Sequence, residues 1–150
     1  MRRYAIGVFA AALLFAPAAL GARSAAPSCT SISAATAKSL LGMPIVSGQK
    51  VATAGNAGLT LCWYGTSANP QAVQLAFRSP GKTQFATDEK TASTYAKSVS
   101  GLGDQAFYNS AGGPTHTSLY VLKGNVEVTI LAFAPLAKTE ALARKAVASL

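Results

Sequence analysis

The residues of this chain that are best suited to chemistry are few and scattered. His116 is the only histidine, and it lies in Gly112-Gly113-Pro114-Thr115-His116-Thr117, a composition typical of an exposed loop. An imidazole there can act as a base or as a pH-sensitive contact, because its pKa lies near neutral pH. A lone loop histidine is more often simply solvated, so ligand binding through His116 is a hypothesis.

Nucleophile motifs are weak. Ser47-Gly48-Gln49-Lys50 and Ser79-Pro80-Gly81-Lys82 match the Ser-x-x-Lys pattern of serine acylases, but neither is predicted to open a helix and the companion motifs are missing. Asp88 and Glu89 are adjacent, so on a helix they point about 100° apart and do not form an acid/base pair. The sequence therefore favours a protein that is not an enzyme. The alternative is a small periplasmic hydrolase that uses His116 or a serine.

Two further features are candidate ligand-binding sites. The glycines of Gly101-Leu102-Gly103-Asp104 would let an anion approach backbone N–H groups, although the spacing of a dinucleotide-binding or phosphate-binding loop is absent. The other interpretation is a structural turn in which Asp104 hydrogen-bonds its own backbone. Trp63 and Tyr64 are neighbours on a predicted strand and must face opposite sides. One therefore belongs to the core, and the other is a candidate surface or pocket aromatic.

The cysteines indicate the compartment. Cys29 and Cys62 are the only two, and in an exported chain such a pair is far more often a disulfide than a reactive thiol. With one histidine, two cysteines cannot complete a closed zinc shell. We predict a Cys29–Cys62 disulfide and no metal or other cofactor.

The N-terminus is typical of a secretory signal peptide. Met1-Arg2-Arg3 is positive, the run from Tyr4 to Leu20 carries no charge, and small residues follow. We predict a signal over residues 1–24, cut after Gly21 or Ser24, and one domain over residues 25–150 in the periplasm or medium. No transmembrane segment is expected after cleavage.

The net charge of the chain indicates which kinds of partner to expect. The formal net charge of +8 falls by two with Arg2 and Arg3, to +6. This excess favours weak contact with anionic surfaces, but the basic residues are scattered, and nucleic acid is not expected for an exported chain without interleaved basic and aromatic residues. The expected partner is a protein or small ligand of the cell envelope.

Periodicity and turn residues predict the elements that must position these residues. Helices are predicted over 31–41, capped by Thr30 or Ser31 and ended by Gly42, over 83–97 and over 136–150. Strands are predicted over 59–64, 72–78, 105–109, 118–122 and 126–133, with Ile45-Val46 opening a short edge strand and residues 47–58 the least ordered. This order predicts an α+β fold with an antiparallel sheet of about five strands and two or three helices on one side.

Several local features occur together. Cys29 precedes a helix ending in Leu40-Leu41-Gly42. After this helix come, in order, Cys62-Trp63-Tyr64, Val99–Ala106, Leu119–Gly124 and an alanine-rich helix. This combination resembles small exported bacterial domains of unknown function, among them actinobacterial lipoproteins, and the extracellular sensor domains of some receptor kinases. The resemblance implies a PsbP-like fold and no established catalytic activity. The chain lacks the lipid-attachment motif around Cys29, which favours an unanchored form.

Overall fold

Residues 28–53 and 55–150 are described by the structure, a computed structural model. Their helices are α1 (Ala34–Leu41), α2 (Lys82–Ala92) and α3 (Leu136–Val147). Their strands are β1 (Ser47–Val51), β2 (Leu59–Gly65), β3 (Val73–Arg78), β4 (Ala96–Ser98), β5 (Gln105–Asn109), β6 (Thr117–Lys123) and β7 (Val126–Ala132). Within this part of the chain no helix is long and apolar enough to cross a membrane. The predicted signal, residues 1–24, lies outside the described residues.

The strands form one antiparallel sheet in the order β1-β2-β3-β7-β6-β5-β4. The α+β class is confirmed, whereas the expectation of about five strands is wrong, since the described sheet has seven. The two strands beyond the expected five are the edges β1 and β4, which have little hydrophobic signal. A short edge strand was expected to open at Ile45-Val46, and β1 instead begins at Ser47. Strand β1 reads Ser-Gly-Gln-Lys-Val, within a segment predicted to be poorly ordered. Of the three residues of β4, Ala96 and Lys97 had been assigned to the second helix.

The sheet has two ends, which we name after the first and last residues of β6. At the Thr117 end, β1, β3, β4 and β6 begin while β2, β5 and β7 finish. At the Lys123 end, a tight turn joins β6 to β7, as the Lys-Gly-Asn sequence predicts.

One face of the sheet packs against α1 and α3 and carries the main core. Because side chains alternate along a strand, every second residue of the central strands points to this face. Burial of their apolar surface is the main stabilising term, at roughly 25 cal/mol per Å². The strand residues that are at most 1% exposed there are Cys62, Tyr64, Val73, Leu75, Phe77, Leu119, Val121, Val128, Ile130 and Ala132.

Helix α2 lies on the opposite face, which we call the second face. This corrects the expectation that all helices lie on one side. Its Phe85 and Ala92 pack against Phe107 and Leu122 in a separate cluster, and the strand register directs these two strand residues away from α1 and α3. The rings of Phe85 and Phe107 meet edge to face, with centroids 5.3 Å apart. Both faces of the sheet carry apolar side chains, and a helix on each face removes them from water.

Helix α1 has a cap at each end. Gly42 ends it at φ 65°, as predicted, and its N–H donates to the Lys38 carbonyl. The predicted N-cap was wrong. Ser33 caps the helix by accepting from the Thr36 N–H at 3.1 Å, because Cys29–Ser31 forms a separate 3-10 turn.

The Cys29–Cys62 disulfide is present, which confirms that prediction. Cys62 is fully buried in β2, so the bond fixes the segment before α1 to the middle of the core. The Tyr64 hydroxyl reinforces this attachment by donating a hydrogen bond to the Ile32 carbonyl at 2.8 Å. Tyr64 is thus the core member of the Trp63-Tyr64 pair.

Candidate functional site

The loop Gly101–Asp104 lies at the Lys123 end of the sheet and is occupied by structural contacts. Asp104 accepts hydrogen bonds from the Gly124 backbone N–H at 2.6 Å and from the Lys123 ammonium at 3.0 Å. These two bonds lower the pKa of the Asp104 carboxyl. Asp104 therefore clasps the β6–β7 turn, instead of bonding its own backbone as predicted.

The structure also explains why glycine occupies positions 101 and 103 of that loop. A Cβ on Gly103, which has φ 64°, would lie 2.5 Å from the Leu122 carbonyl oxygen. The Gly101 carbonyl accepts a hydrogen bond from the Arg144 guanidinium at 2.7 Å. At Gly103 only glycine allows this close approach of the loop to β6, and at Gly101 the positive φ of 68° favours glycine.

Trp63 lies on the second face, in β2, where its Cα partners are Gln49 on β1 and Gln74 on β3. The residue is half-buried, and its indole Nε1 is buried without a hydrogen-bond partner among the described residues. Trp63 is four strands from β5 in the sheet order, a separation of about 19 Å. It therefore does not share a site with the loop before β6.

His116 lies at the Thr117 end, directly before β6, and is exposed as predicted. Its imidazole stacks on the ring of Phe133, with centroids 4.7 Å apart and planes 7° from parallel. The same imidazole lines a cavity of about 360 Å³, which we call the His116 cavity. Its lining residues are Tyr108, Asn109, Ser110, Gly113, Pro114, His116, Thr117 and Leu136.

Local hydrogen bonds hold the wall of this cavity in place. The Asn109 side-chain oxygen accepts from the Ala111 N–H at 2.9 Å, which starts the 3-10 turn after β5. The Ser110 hydroxyl donates to the Tyr95 carbonyl at 3.0 Å and ties that turn to the segment before β4. The buried Thr117 hydroxyl donates to the Ala134 carbonyl at 2.8 Å, so the start of β6 is fixed beside the loop that leads into α3.

Three polar groups of the lining have no hydrogen-bond partner within the described part of the chain. They are the Tyr108 hydroxyl, the Asn109 side-chain NH₂ and the His116 imidazole. Pro114 and Leu136 supply apolar wall. Among residues 28–53 and 55–150, no lysine, arginine, aspartate or glutamate lines the cavity. Uncharged polar groups on a partly apolar wall are what a small-molecule site requires.

Three exposed hydrophobic side chains lie along the Thr117 end of the sheet. Among the described residues, the large apolar side chains with high exposure are Val46 at 68%, Tyr95 at 56% and Phe133 at 54%. Val46 precedes β1, Tyr95 precedes β4 and Phe133 follows β7, so all three lie at the Thr117 end. Val46 and Tyr95 adjoin β1 and β4, the two opposite edges of the sheet, so the three side chains do not form one patch. Tyr95 and Phe133 lie on the side of the sheet where His116 is found, and exposed aromatic rings there are candidate contacts for a ligand.

The cavity is poorly equipped for catalysis. Ser110 is its only serine, and the hydroxyl of Ser110 already donates to a backbone carbonyl. The His116 ring has a stacking partner but, within the described residues, no carboxylate that orients it. A nucleophile, a base and an orienting group are therefore not assembled here. Residues 28–53 and 55–150 also contain no cluster of three or more His, Cys, Asp or Glu side chains that could hold a metal ion.

The two Ser-x-x-Lys segments lie elsewhere. Ser47 and Lys50 belong to the edge strand β1. Ser79 precedes α2, and Lys82 is its first residue, so this segment does lead into a helix, contrary to the prediction. No histidine lies near either segment, because His116 is the only one in the chain.

A buried carboxyl lies under α2, apart from the cavity. Glu127 is 1% exposed, and burial, together with the neighbouring Asp88 carboxyl, raises its pKa to about 7. The Arg78 guanidinium lies 3.9 Å from Glu127 Oε2 and acts in the opposite direction. This group connects α2 to β3 and β7 and lines no part of the His116 cavity.

Sequence reasoning identified His116 but missed Tyr108, Asn109, Tyr95 and Phe133. The available signal was that the strand before the His116 loop ends in Tyr-Asn and that an aromatic residue follows β7. Comparison with known proteins adds nothing to these residues: no protein-family model matches the chain, and no curated protein matches it.

Proposed function

We propose that this chain is an exported, non-enzymatic binding domain of the cell envelope with a PsbP-like fold, and that its ligand occupies the His116 cavity. The signal-like N-terminus supports export, and the disulfide is compatible with an oxidising compartment. One observation carries the choice of site. At the Thr117 end, a cavity with three free polar groups coincides with the most exposed aromatic side chains of the described residues.

The experiment is a ligand-observed NMR screen of a fragment library that contains neutral, anionic and cationic members. Fragments should bind the wild type, and binding should be lost or strongly reduced in His116→Ala and Phe133→Ala. Lys90→Ala is the matched control, since it alters an exposed side chain of α2 on the second face. Loss of binding in the control alone, or hits that all three variants retain, would refute the proposed site.

A small hydrolase is the second candidate, because Ser110 and His116 line the same cavity. Ester, amide, phosphate and glycan substrates should not be turned over by the purified domain, since no orienting carboxylate lines that cavity. Turnover that His116→Ala and Ser110→Ala both abolish would replace the binding proposal with the hydrolase.

A further inference from the structure

Two residues with exposed aromatic rings, Tyr95 and Phe133, contact residues that line the His116 cavity, Tyr95 through its backbone carbonyl and Phe133 through its ring. Ser110 lines the cavity and donates to the carbonyl of Tyr95. The His116 imidazole that lines the cavity stacks on Phe133. Tyr95 is 56% exposed and Phe133 is 54% exposed. Both rings therefore have surface available to a ligand that extends beyond the cavity.

The separation of the strands that Tyr95 and Phe133 flank follows from the sheet order. Tyr95 precedes β4 and Phe133 follows β7, and the sheet order puts three interstrand steps between these strands. Three steps correspond to about 14 Å. A ligand in contact with both rings must therefore be an extended molecule rather than a compact metabolite.

The charge of the lining restricts the ligand further. Tyr108 and His116 offer a hydroxyl and an imidazole, which can donate or accept hydrogen bonds, and Asn109 offers an amide NH₂, which donates. None of these three groups carries a permanent charge. A charged ligand group would lose its hydration there without a charged partner, which is costly. A hydroxyl-rich, uncharged ligand would satisfy all three groups.

We propose that the His116 cavity and the rings of Tyr95 and Phe133 bind an uncharged oligosaccharide. Sugar hydroxyls match the free polar groups, and the apolar C–H faces of pyranose rings match exposed aromatic rings. This inference rests on the proposed function and names the ligand class for the same site. The bound stretch spans several sugar units, because the strands beside Tyr95 and Phe133 are about 14 Å apart.

The test is calorimetric titration with defined tetrasaccharides, both neutral (gluco-, manno- and N-acetylglucosamine series) and acidic (uronic acid series). We expect at least one neutral tetrasaccharide to bind with a Kd of about 1 mM or tighter. Tyr95→Ala and Phe133→Ala should each weaken that binding about fivefold, the size of one lost aromatic contact. Val46→Ala is the matched control: it shortens an exposed apolar side chain at the same end of the sheet but next to β1, and should leave the Kd unchanged.

The outcomes separate this inference from the proposed function. If fragments bind at the His116 cavity but no tetrasaccharide binds, the oligosaccharide class is wrong and the binding function stands. Preferential binding of the acidic series, or equal loss in Val46→Ala, also overturns the inference. If neither fragments nor saccharides bind, both proposals fail.

Discussion

Tyr64 and Tyr108 differ in what their hydroxyl groups contact. The Tyr64 hydroxyl donates to the Ile32 carbonyl at 2.8 Å, and burial raises its pKa to about 12. Tyr108 lines the His116 cavity, and its hydroxyl has no hydrogen-bond partner in the described part of the chain. The Tyr64 hydroxyl therefore stabilises the fold, whereas the Tyr108 hydroxyl is available to hydrogen-bond a ligand.

Tyr64→Phe should therefore lower the free energy of unfolding by about 1–3 kcal/mol, because the buried Ile32 carbonyl loses its donor. Tyr108→Phe, the matched control, should change it by less than about 0.5 kcal/mol. Urea denaturation followed by circular dichroism measures both. Equal effects of the two substitutions would show that the Tyr64 hydrogen bond does not stabilise the fold.

Glu127 should make stability depend on pH. Its folded-state pKa is raised from 4.5 to about 7, mainly by burial, so the folded protein holds this proton more tightly than the unfolded chain does. The stabilisation is full below the unfolded pKa and is lost as pH rises through the folded pKa. The melting temperature of the wild type should thus fall between about pH 5 and pH 8 relative to that of Glu127→Gln.

Glu89→Gln is the control for that experiment, since Glu89 is an exposed carboxylate on α2. Its profile should run parallel to that of the wild type. If the melting temperatures of Glu127→Gln and of the wild type change equally with pH, the prediction of a raised Glu127 pKa is wrong.

At the scale of elements, the disulfide closes a sequence separation of 33 residues between the segment before α1 and β2. The chain-entropy model gives a stabilisation of roughly 3–4 kcal/mol for such a loop. The double variant Cys29→Ser, Cys62→Ser should lose about this amount in urea denaturation, and reduced wild type should behave alike. A loss below about 1 kcal/mol would mean that hydrophobic packing and the Tyr64 hydrogen bond already fix this segment.

The elements also show how far sequence reasoning reached. Strands β2, β3, β5, β6 and β7 were predicted because alternating apolar residues mark one buried face. Edge strand β1, with four exposed residues, has no such pattern, and β4 is too short to show one. The side of the sheet that α2 covers depends on Phe107 and Leu122, whose pairing across strands the sequence does not reveal.

The site was predicted least well, for a physical reason. His116 stands out by residue type, but Tyr95, Tyr108 and Phe133 belong to three separate segments that only the sheet order brings to one end. Gly101–Asp104 was plausible by composition, yet its polar groups are occupied by Gly124, Lys123 and Arg144.

At the scale of the whole molecule, the chain has a formal net charge of +8, and the proposed signal cleavage would leave +6 if it follows Gly21 or +5 if it follows Ser24 and also removes Arg23. Scattered charges attract an anionic surface weakly, and salt screens them. Binding to anionic lipid vesicles should therefore be weak at low salt and disappear at about 0.5 M salt, where the Debye length is only a few Å. Neutral vesicles are the control in a sedimentation assay, and binding that persists in high salt would indicate a specific anionic site instead.

The central claim is that ligands bind at the His116 cavity and not on the second face. Two residues give single, easily assigned NMR signals, because His116 is the only histidine of the chain and Trp63 is its only tryptophan. They lie at separate places, one in the lining of the cavity and the other on the second face of β2.

The most direct measurement is therefore a proton NMR titration that follows the His116 imidazole signal and the Trp63 indole N–H signal as fragments or tetrasaccharides are added. The account predicts that the His116 signal shifts with saturation while the Trp63 signal stays in place. A shift of the Trp63 signal with an unchanged His116 signal would contradict it.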